Sequence, residues 1–141
     1  MAKDVKAIHD SKAFTKGIAN FARKCGIAAD TVVKKITLEV HKEIMLRTPV
    51  DTGYARCNWQ IGIESRPDGT IEATDKSGGA ATAGAMAQIA NIKAGGVNYI
   101  VNNVPYIAAL EFGHSQQSPN GMVRITVSRW QTICDEAARA V

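Results

Sequence analysis

"TPVDTGYARCNWQIGIES", residues 48–65, is where one pattern of hydrophobicity gives way to another, and its reading decides the fold. Pro49 must stop whatever helix precedes it, because the residue before a proline is pushed out of the helical region. Gly53 allows the positive φ of a tight corner, and Asp51 can accept a hydrogen bond from the backbone two residues on. Beyond the corner, Cys57, Trp59, Ile61 and Ile63 alternate with Asn58, Gln60, Gly62 and Glu64, the period of a half-buried strand running from Tyr54 to Ser65.

Working back from the corner, Asp30 is placed to cap a helix over "DTVVKKITLEVHKEIMLRT". Val33, Ile36, Val40 and Ile44 form one apolar stripe of that helix. Leu38 and Leu46 fall off the stripe and predict contacts on more than one side. Further upstream, "SKAFTKGIANFARKCG" puts Phe14, Ile18, Phe21, Ala22 and Cys25 on one helical face, with Ser11 as cap and Gly26 as stop. Residues 1–10 read as a flexible lead-in.

Working forward, "RPDGT" has hairpin-turn chemistry and "TIEAT" reads as the returning strand. "DKSGGAATAGAMAQIANIKAGG" is a small-residue loop leading into an Ala-rich helix around residues 82–93, closed by Gly95 and Gly96. "VNYIVNN" is a third strand, "VPYIAALEFGHS" a short helix and "QQSPNG" a loop. "GMVRITVSRWQTICDEAARAV" reads as a closing helix with Val123, Val127, Trp130, Cys134 and Ala137 on one face, although its β-branched start also fits a strand. The expectation is a single α+β domain over residues 1–141. A small, mostly antiparallel sheet packs with a long N-terminal helical region and a C-terminal helix.

Composition narrows the function classes. The chain has 141 residues, 45% of them apolar, enough for one core. It has no apolar run of membrane-spanning length and its first residues lack a signal-peptide core, which predicts a protein made and kept in a cytoplasm and not in a membrane. Cys25, Cys57 and Cys134 are odd in number and far apart, and His9, His41 and His114 are as scattered, so neither a disulfide framework nor a metal site is expected. The formal charge of +4 is uneven: residues 1–47 carry ten Lys/Arg against five Asp/Glu, the remainder seven against eight. A nucleic-acid-facing surface is one reading of that asymmetry. The solvated side of amphipathic helices is the other.

Three stretches invite an enzymatic reading. Asp-Thr-Gly at 51–53 is the tripeptide of aspartic proteases, which need it at the end of a buried strand with a small residue following. Here it follows a charged helix and a proline, and Tyr54 comes next. "KSGGAATAG" lacks the Gly-Lys-Ser/Thr ending of a phosphate loop. Glu111 and His114 flank Gly113 without an accompanying nucleophile. No catalytic residue, cofactor or metal is assigned.

Two blocks do carry a resemblance. "RTPVDTGYARCNW", residues 47–59, resembles the helix-end and strand-start motif of the tail-completion, or neck, proteins of long-tailed bacteriophages. "YIVNNVPYIAALEFGHSQQSPNGMVRITVSRWQ", residues 99–131, looks closer still to that family's second block, and an Ala-rich insert separates the two in the family's order. Together they cover about a third of the chain; Tyr54 and Cys57 depart from the family's usual long or polar residues.

The resemblance implies a non-enzymatic virion protein at the head–tail junction. It would act as a ring-forming connector, often six-fold, between the portal-side adaptor and the tail terminator or tail tube, with the genome passing through. It makes Thr48, Pro49, Asp51, Thr52 and Gly53 one structural corner, and Asn103, Pro105, Tyr106, Glu111 and Gly113 a second, strand-to-helix corner. Lys34 and Lys35 are the candidates to face DNA or an acidic neighbour. The alternative class is a small basic nucleic-acid-binding protein.

Overall fold

The computed structural model describes residues 16–20 and 29–140. Residues 16–20 are helical, and Ile18 packs into the core. The rest of the helix expected over residues 11–26, and the lead-in over 1–10, lie outside the described residues. From there the order is α1 (Ala29–Arg47), α2 (Tyr54–Cys57), β1 (Gln60–Ile63), α3 (Gly79–Ile89), β2 (Asn98–Val101), α4 (Ile107–Glu111), α5 (Val123–Ser128) and α6 (Trp130–Arg139). The protein is α+β, with β1 and β2 forming a two-stranded antiparallel sheet.

α1 ends where Pro49 requires, and the Thr48 amide closes its last turn onto the Met45 carbonyl at 3.1 Å. Its buried face is wider than one stripe: Val32, Val33, Ile36, Thr37, His41, Ile44 and Met45 are all buried, whereas Val40 is half-buried and Leu46 exposed. That width lets one helix serve two cores. Ile36, Ile61, Ile89, Ile92 and Ile133 meet in the first, and Ile44, Met45, Trp59, Ala81 and Met122 in the second. Leu38 packs against the first core, so the contact off the stripe is real.

Four expectations need correction. Tyr54–Cys57 is a helical turn and not the start of the strand, because Gly53 leaves the corner at φ 90 and its carbonyl accepts the Cys57 amide at 2.9 Å. The strand is therefore short. "TIEAT" does not return as a strand; residues 70–75 run without regular structure, and β1 pairs with β2 instead, Gln60 opposite Val101 through Ile63 opposite Asn98. The reason is Asn58, which strand alternation would turn outward. Its side chain is fully buried and pairs like a strand backbone with Ile71, accepting the Ile71 amide at 2.6 Å and donating to the Ile71 carbonyl at 3.0 Å. With both of its groups taken by a side chain, Ile71 has no ladder to offer.

The Ala-rich helix starts earlier than expected, at Gly79, because Asp75 reaches forward to accept the Ala80 amide at 3.2 Å and the Ser77 amide at 2.9 Å. Bonds from Ser77, its hydroxyl first, hold the Asp75 carboxyl below its usual pKa. The closing helix is broken at Arg129 into α5 and α6. Its amphipathic half is α6, which buries Ile133, Cys134, Ala137 and Ala138 against α1. Burial and the neighbouring Asp135 push the Cys134 thiol up to about 12, which makes it inert. No described helix is long and apolar enough to cross a membrane.

One core group titrates where it matters. His41 is fully buried, its Nε2–H donates to the Trp59 carbonyl at 2.9 Å, and its Nδ1 has no partner among the described residues. Burial pushes its pKa below the ordinary value, and the Trp59 bond only partly offsets this. The unfolded chain thus takes a proton near pH ~6.5 that the folded chain resists. Stability is complete above that value and falls as the pH drops through it, by at most ~1.4 kcal/mol per pH unit. Urea midpoints between about pH 7.5 and 5.5 should show this slope, and His41→Gln should flatten it. An unchanged slope in the variant would assign the effect to another group.

Candidate functional site: a corner built from two distant segments

The two blocks singled out in the sequence meet in space. The Gln117 side chain, from the "QQSPNG" loop, lies along Val50 as a strand would: Val50 N–H donates to Oε1 at 2.8 Å and Nε2 donates to the Val50 carbonyl at 3.1 Å. Asn102, at the end of β2, donates to the Ala55 carbonyl at 2.8 Å. Its neighbour Asn103 donates to the carbonyls of Pro67 and Gly69 at 3.0 and 2.9 Å, pinning the "RPDGT" turn. A cleft of about 620 Å³ opens between the blocks, lined by Pro49, Asp51, Thr52, Gly53 and Tyr54 on one side and by Tyr106, Leu110, Ser115 and Gln117 on the other. Glu72 and Thr74 complete it.

Each corner is held by polar groups spent on backbone. Thr48 is buried; its hydroxyl donates to the Ile44 carbonyl at 2.8 Å and accepts the Trp59 indole N–H at 2.7 Å. Arg56 donates to the carbonyls of Leu46, Thr48 and Lys76, each at 3.0 Å, and so covers the C-terminal end of α1. The turn bond expected of Asp51 is made by its neighbour: the Thr52 hydroxyl accepts the Tyr54 amide at 3.2 Å. Asp51 itself is exposed on the cleft wall. Gly53 is required twice over, since its φ is 90 and a Cβ there would stand 2.7 Å from the backbone of Asp75 and Lys76.

The second corner is organised by Glu111. Its Oε1 accepts the amides of Met122 and Val123 at 2.9 and 2.8 Å, and its Oε2 accepts the Arg124 amide and Nε, both at 3.0 Å. Glu111 therefore caps α5 from another segment, and its negative charge sits at the positive end of that helix. Burial opposes ionisation here, but the three amides and Arg124 outweigh it and hold the carboxyl below its usual value. Gly113, at φ 86, passes so close to the Pro119 carbonyl that a Cβ would come within 2.4 Å of its oxygen.

Tyr106 stands 47% exposed at the start of α4 and Phe112 68% exposed at its end, with the Arg124 guanidinium 5.3 Å from the Phe112 ring centre. Partial burial raises the Tyr106 pKa, and the nearby Tyr54 and Asp51 raise it further, as facing groups across one cleft should. Pro105 is exposed beside it.

Not every candidate joins this cleft. Lys34 and Lys35 lie on α1, where Lys35 pairs with Glu39 at 3.4 Å. α1 as a whole carries four basic residues against three acidic ones, so the basic excess of the N-terminal third falls mostly in residues 1–28, chiefly outside the described residues. Glu111 and His114 do not form an acid/base pair around a nucleophile, because both Glu111 oxygens are occupied by α5. Sequence reasoning missed Asn58, Gln117 and Arg56, whose signal is a polar side chain flanking a proline or glycine corner where backbone groups need partners. No group of three or more His, Cys, Asp or Glu among the described residues could hold a metal. Comparison with protein-family models, curated proteins and solved structures finds no match for this chain.

Proposed function

We propose that this chain is a non-enzymatic virion structural protein of the phage neck, a tail-completion subunit. It would form a ring, hexameric as is frequent for the resembled proteins, joining the portal-side adaptor to the tail terminator or tube while DNA passes through. The observation that carries the reading is the meeting of the two resembling blocks in one corner, clamped by Gln117 on Val50 and Asn102 on Ala55. Polar residues that would do chemistry in an enzyme are here consumed in holding backbone: Glu111 on α5, Asp75 on α3 and Thr48 on α1.

The exposed side chains favour contact over catalysis. Phe112 and Met86 are more than half exposed, and Tyr106 nearly so, a cost that a subunit recovers when partners cover them. A ring needs two different surfaces per subunit. The α4 corner with Phe112 and the α3 face with Met86 belong to different elements and supply two candidates.

The basic nucleic-acid-binding reading is separated by salt. A free nucleic-acid binder loses affinity steeply as salt rises, through counterion release, whereas a ring held by apolar contact persists. Lys34 and Lys35 test the DNA- or partner-facing role. Reversing both charges should leave unfolding within ~0.5 kcal/mol, since exposed ion pairs such as Lys35–Glu39 contribute little, yet reduce head–tail joining in a complementation assay. Unchanged joining would remove α1 from the interface.

A further inference from the structure

One edge of β1 pairs with β2, and the other pairs with no strand among the described residues. The Glu64 amide donates to the Val97 carbonyl at 2.8 Å, in register with Ile63 opposite Asn98. Hydrogen-bonded pairs alternate along an antiparallel ladder. Gln60 and Gly62 therefore turn their backbone groups toward β2, and Ile61 and Ile63 turn theirs away. Among the described residues, these outward amides and carbonyls meet no partner.

A slot of about 450 Å³ follows this edge, lined by residues 59–63 without a gap. Successive strand residues point to opposite faces, so only the edge of a strand lines a cavity with consecutive residues. Pro67 and Ile71 form one wall and Ala80 and Gly84 of α3 the other. The lining is mixed, with Gln60, Ser65 and Gln88 among the apolar residues, and Arg66 is the only charged side chain among the lining residues.

We propose that this slot binds an extended segment of another protein by strand addition to β1. The segment carries apolar side chains at alternate positions, toward Ala80 and Gly84, and a carboxylate at the Arg66 end. Main-chain bonds to Ile61 and Ile63 supply affinity, and the small-residue wall and Arg66 supply selectivity. The edge is ~13 Å long, the span of about four residues. Walls on both sides of it leave room for a single chain and not for the sheet of a second folded copy. The inference is independent of the ring, whose contacts need not use this edge.

The test uses the full chain and two capped hexapeptides, acetyl-Glu-Val-Thr-Val-Thr-Val-amide and its Lys-first counterpart. Residue-resolved amide exchange is read at Ile61 and Ile63, with Trp59 emission as a second signal. The acidic peptide should slow exchange at both amides about tenfold or more at saturation, and the Lys peptide should do so less. Gly84→Leu should abolish the effect, and because a Cβ at Gly84 meets nothing within 4 Å, its fold and melting should survive. Arg66→Glu should transfer the preference to the Lys peptide. The proposal is overturned if neither peptide alters exchange at millimolar concentration, or if Gly84→Leu binds as well as the parent. It is equally overturned if protection arises without peptide and grows with protein concentration, since a second copy would then own the edge.

Discussion

Gly53→Ala should destabilise the protein by ~3–5 kcal/mol in urea unfolding, while Asp51→Asn two residues away should change stability by less than ~0.5 kcal/mol. At φ 90 the alanine pays ~1–2 kcal/mol for the left-handed conformation alone. Its methyl group would also stand 2.7 Å from the backbone of Asp75 and Lys76, which cannot swing aside as a side chain would. That backbone is not idle: the Asp75 carbonyl accepts the Cys57 thiol at 3.2 Å and the Lys76 carbonyl accepts Arg56. Displacing it loosens the whole corner. Asp51, exposed at the cleft, has no comparable structural duty. The contrast decides what Asp-Thr-Gly means here, because a catalyst depends on its aspartate and a corner depends on its glycine. A hydrolytic activity lost in Asp51→Asn would reverse the reading.

Asn58→Leu should cost ~2–4 kcal/mol, the largest effect expected of any side-chain replacement outside the apolar core. It strands the Tyr54 carbonyl and the Ile71 amide and leaves the Ile71 carbonyl with the Ala73 amide alone, and part-buried polar groups without partners are what make such changes expensive. Asn58→Asp keeps the shape and the acceptor for the Ile71 amide but loses both donors, and its charge would face two carbonyls. It should be as damaging at neutral pH and partly recover, relative to the parent at the same pH, near pH ~4, where a protonated carboxyl can donate again. Urea midpoints of the three proteins at both pH values check this. Equal midpoints for Asn58→Leu and the parent would mean that the 70–75 segment is not held from Asn58.

How much was legible follows from what kind of signal each element leaves. α1, the α4 turn and β2 are marked by period and by proline or glycine punctuation, and they stand where those marks put them. The 54–57 turn was hidden because Cys57 and Trp59 are buried in either conformation, so strand alternation and a helical turn followed by a short strand give the same buried positions. "TIEAT" has the composition of a strand and the turn chemistry before it, yet a single amide side chain, Asn58, takes the bonds a partner strand would have used. That exchange of side chain for backbone leaves no periodicity. The break at Arg129 is of the same kind. β-branched Val123, Ile125, Thr126 and Val127 weaken the first half of the closing helix, which then depends on Glu111, twelve residues before Val123, for its capping.

The site divides along similar lines. Pro49 and Gly53 could be named from the sequence because steric constraints are local, whereas Gly113 was named through the resemblance alone. Their mutual placement could not, since Gln117 and Val50 are brought together by the fold of everything between them. Glu111 was named as a corner residue, and its actual partners, the α5 amides, require knowing where that helix begins. The electrostatic consequence is a prediction of sign. Glu111 stabilises the fold above its ordinary carboxyl range and that contribution is lost as the pH falls through its lowered folded value. Acid thus acts in two stages, His41 first and the carboxylates later.

The proposal that this chain is a ring-forming neck subunit meets its most direct test in mass. Size-exclusion chromatography with light scattering on nuclease-treated protein, at low and high salt and with tail proteins added, reads the assembled species. A closed oligomer of defined stoichiometry, six subunits if the resemblance extends that far, formed alone or on addition of tail proteins and persisting at high salt, is the expected result. A monomer that never assembles but carries nucleic acid lost as salt rises would contradict the account and favour the binding-protein class, and a bare dimer would return attention to Asp51.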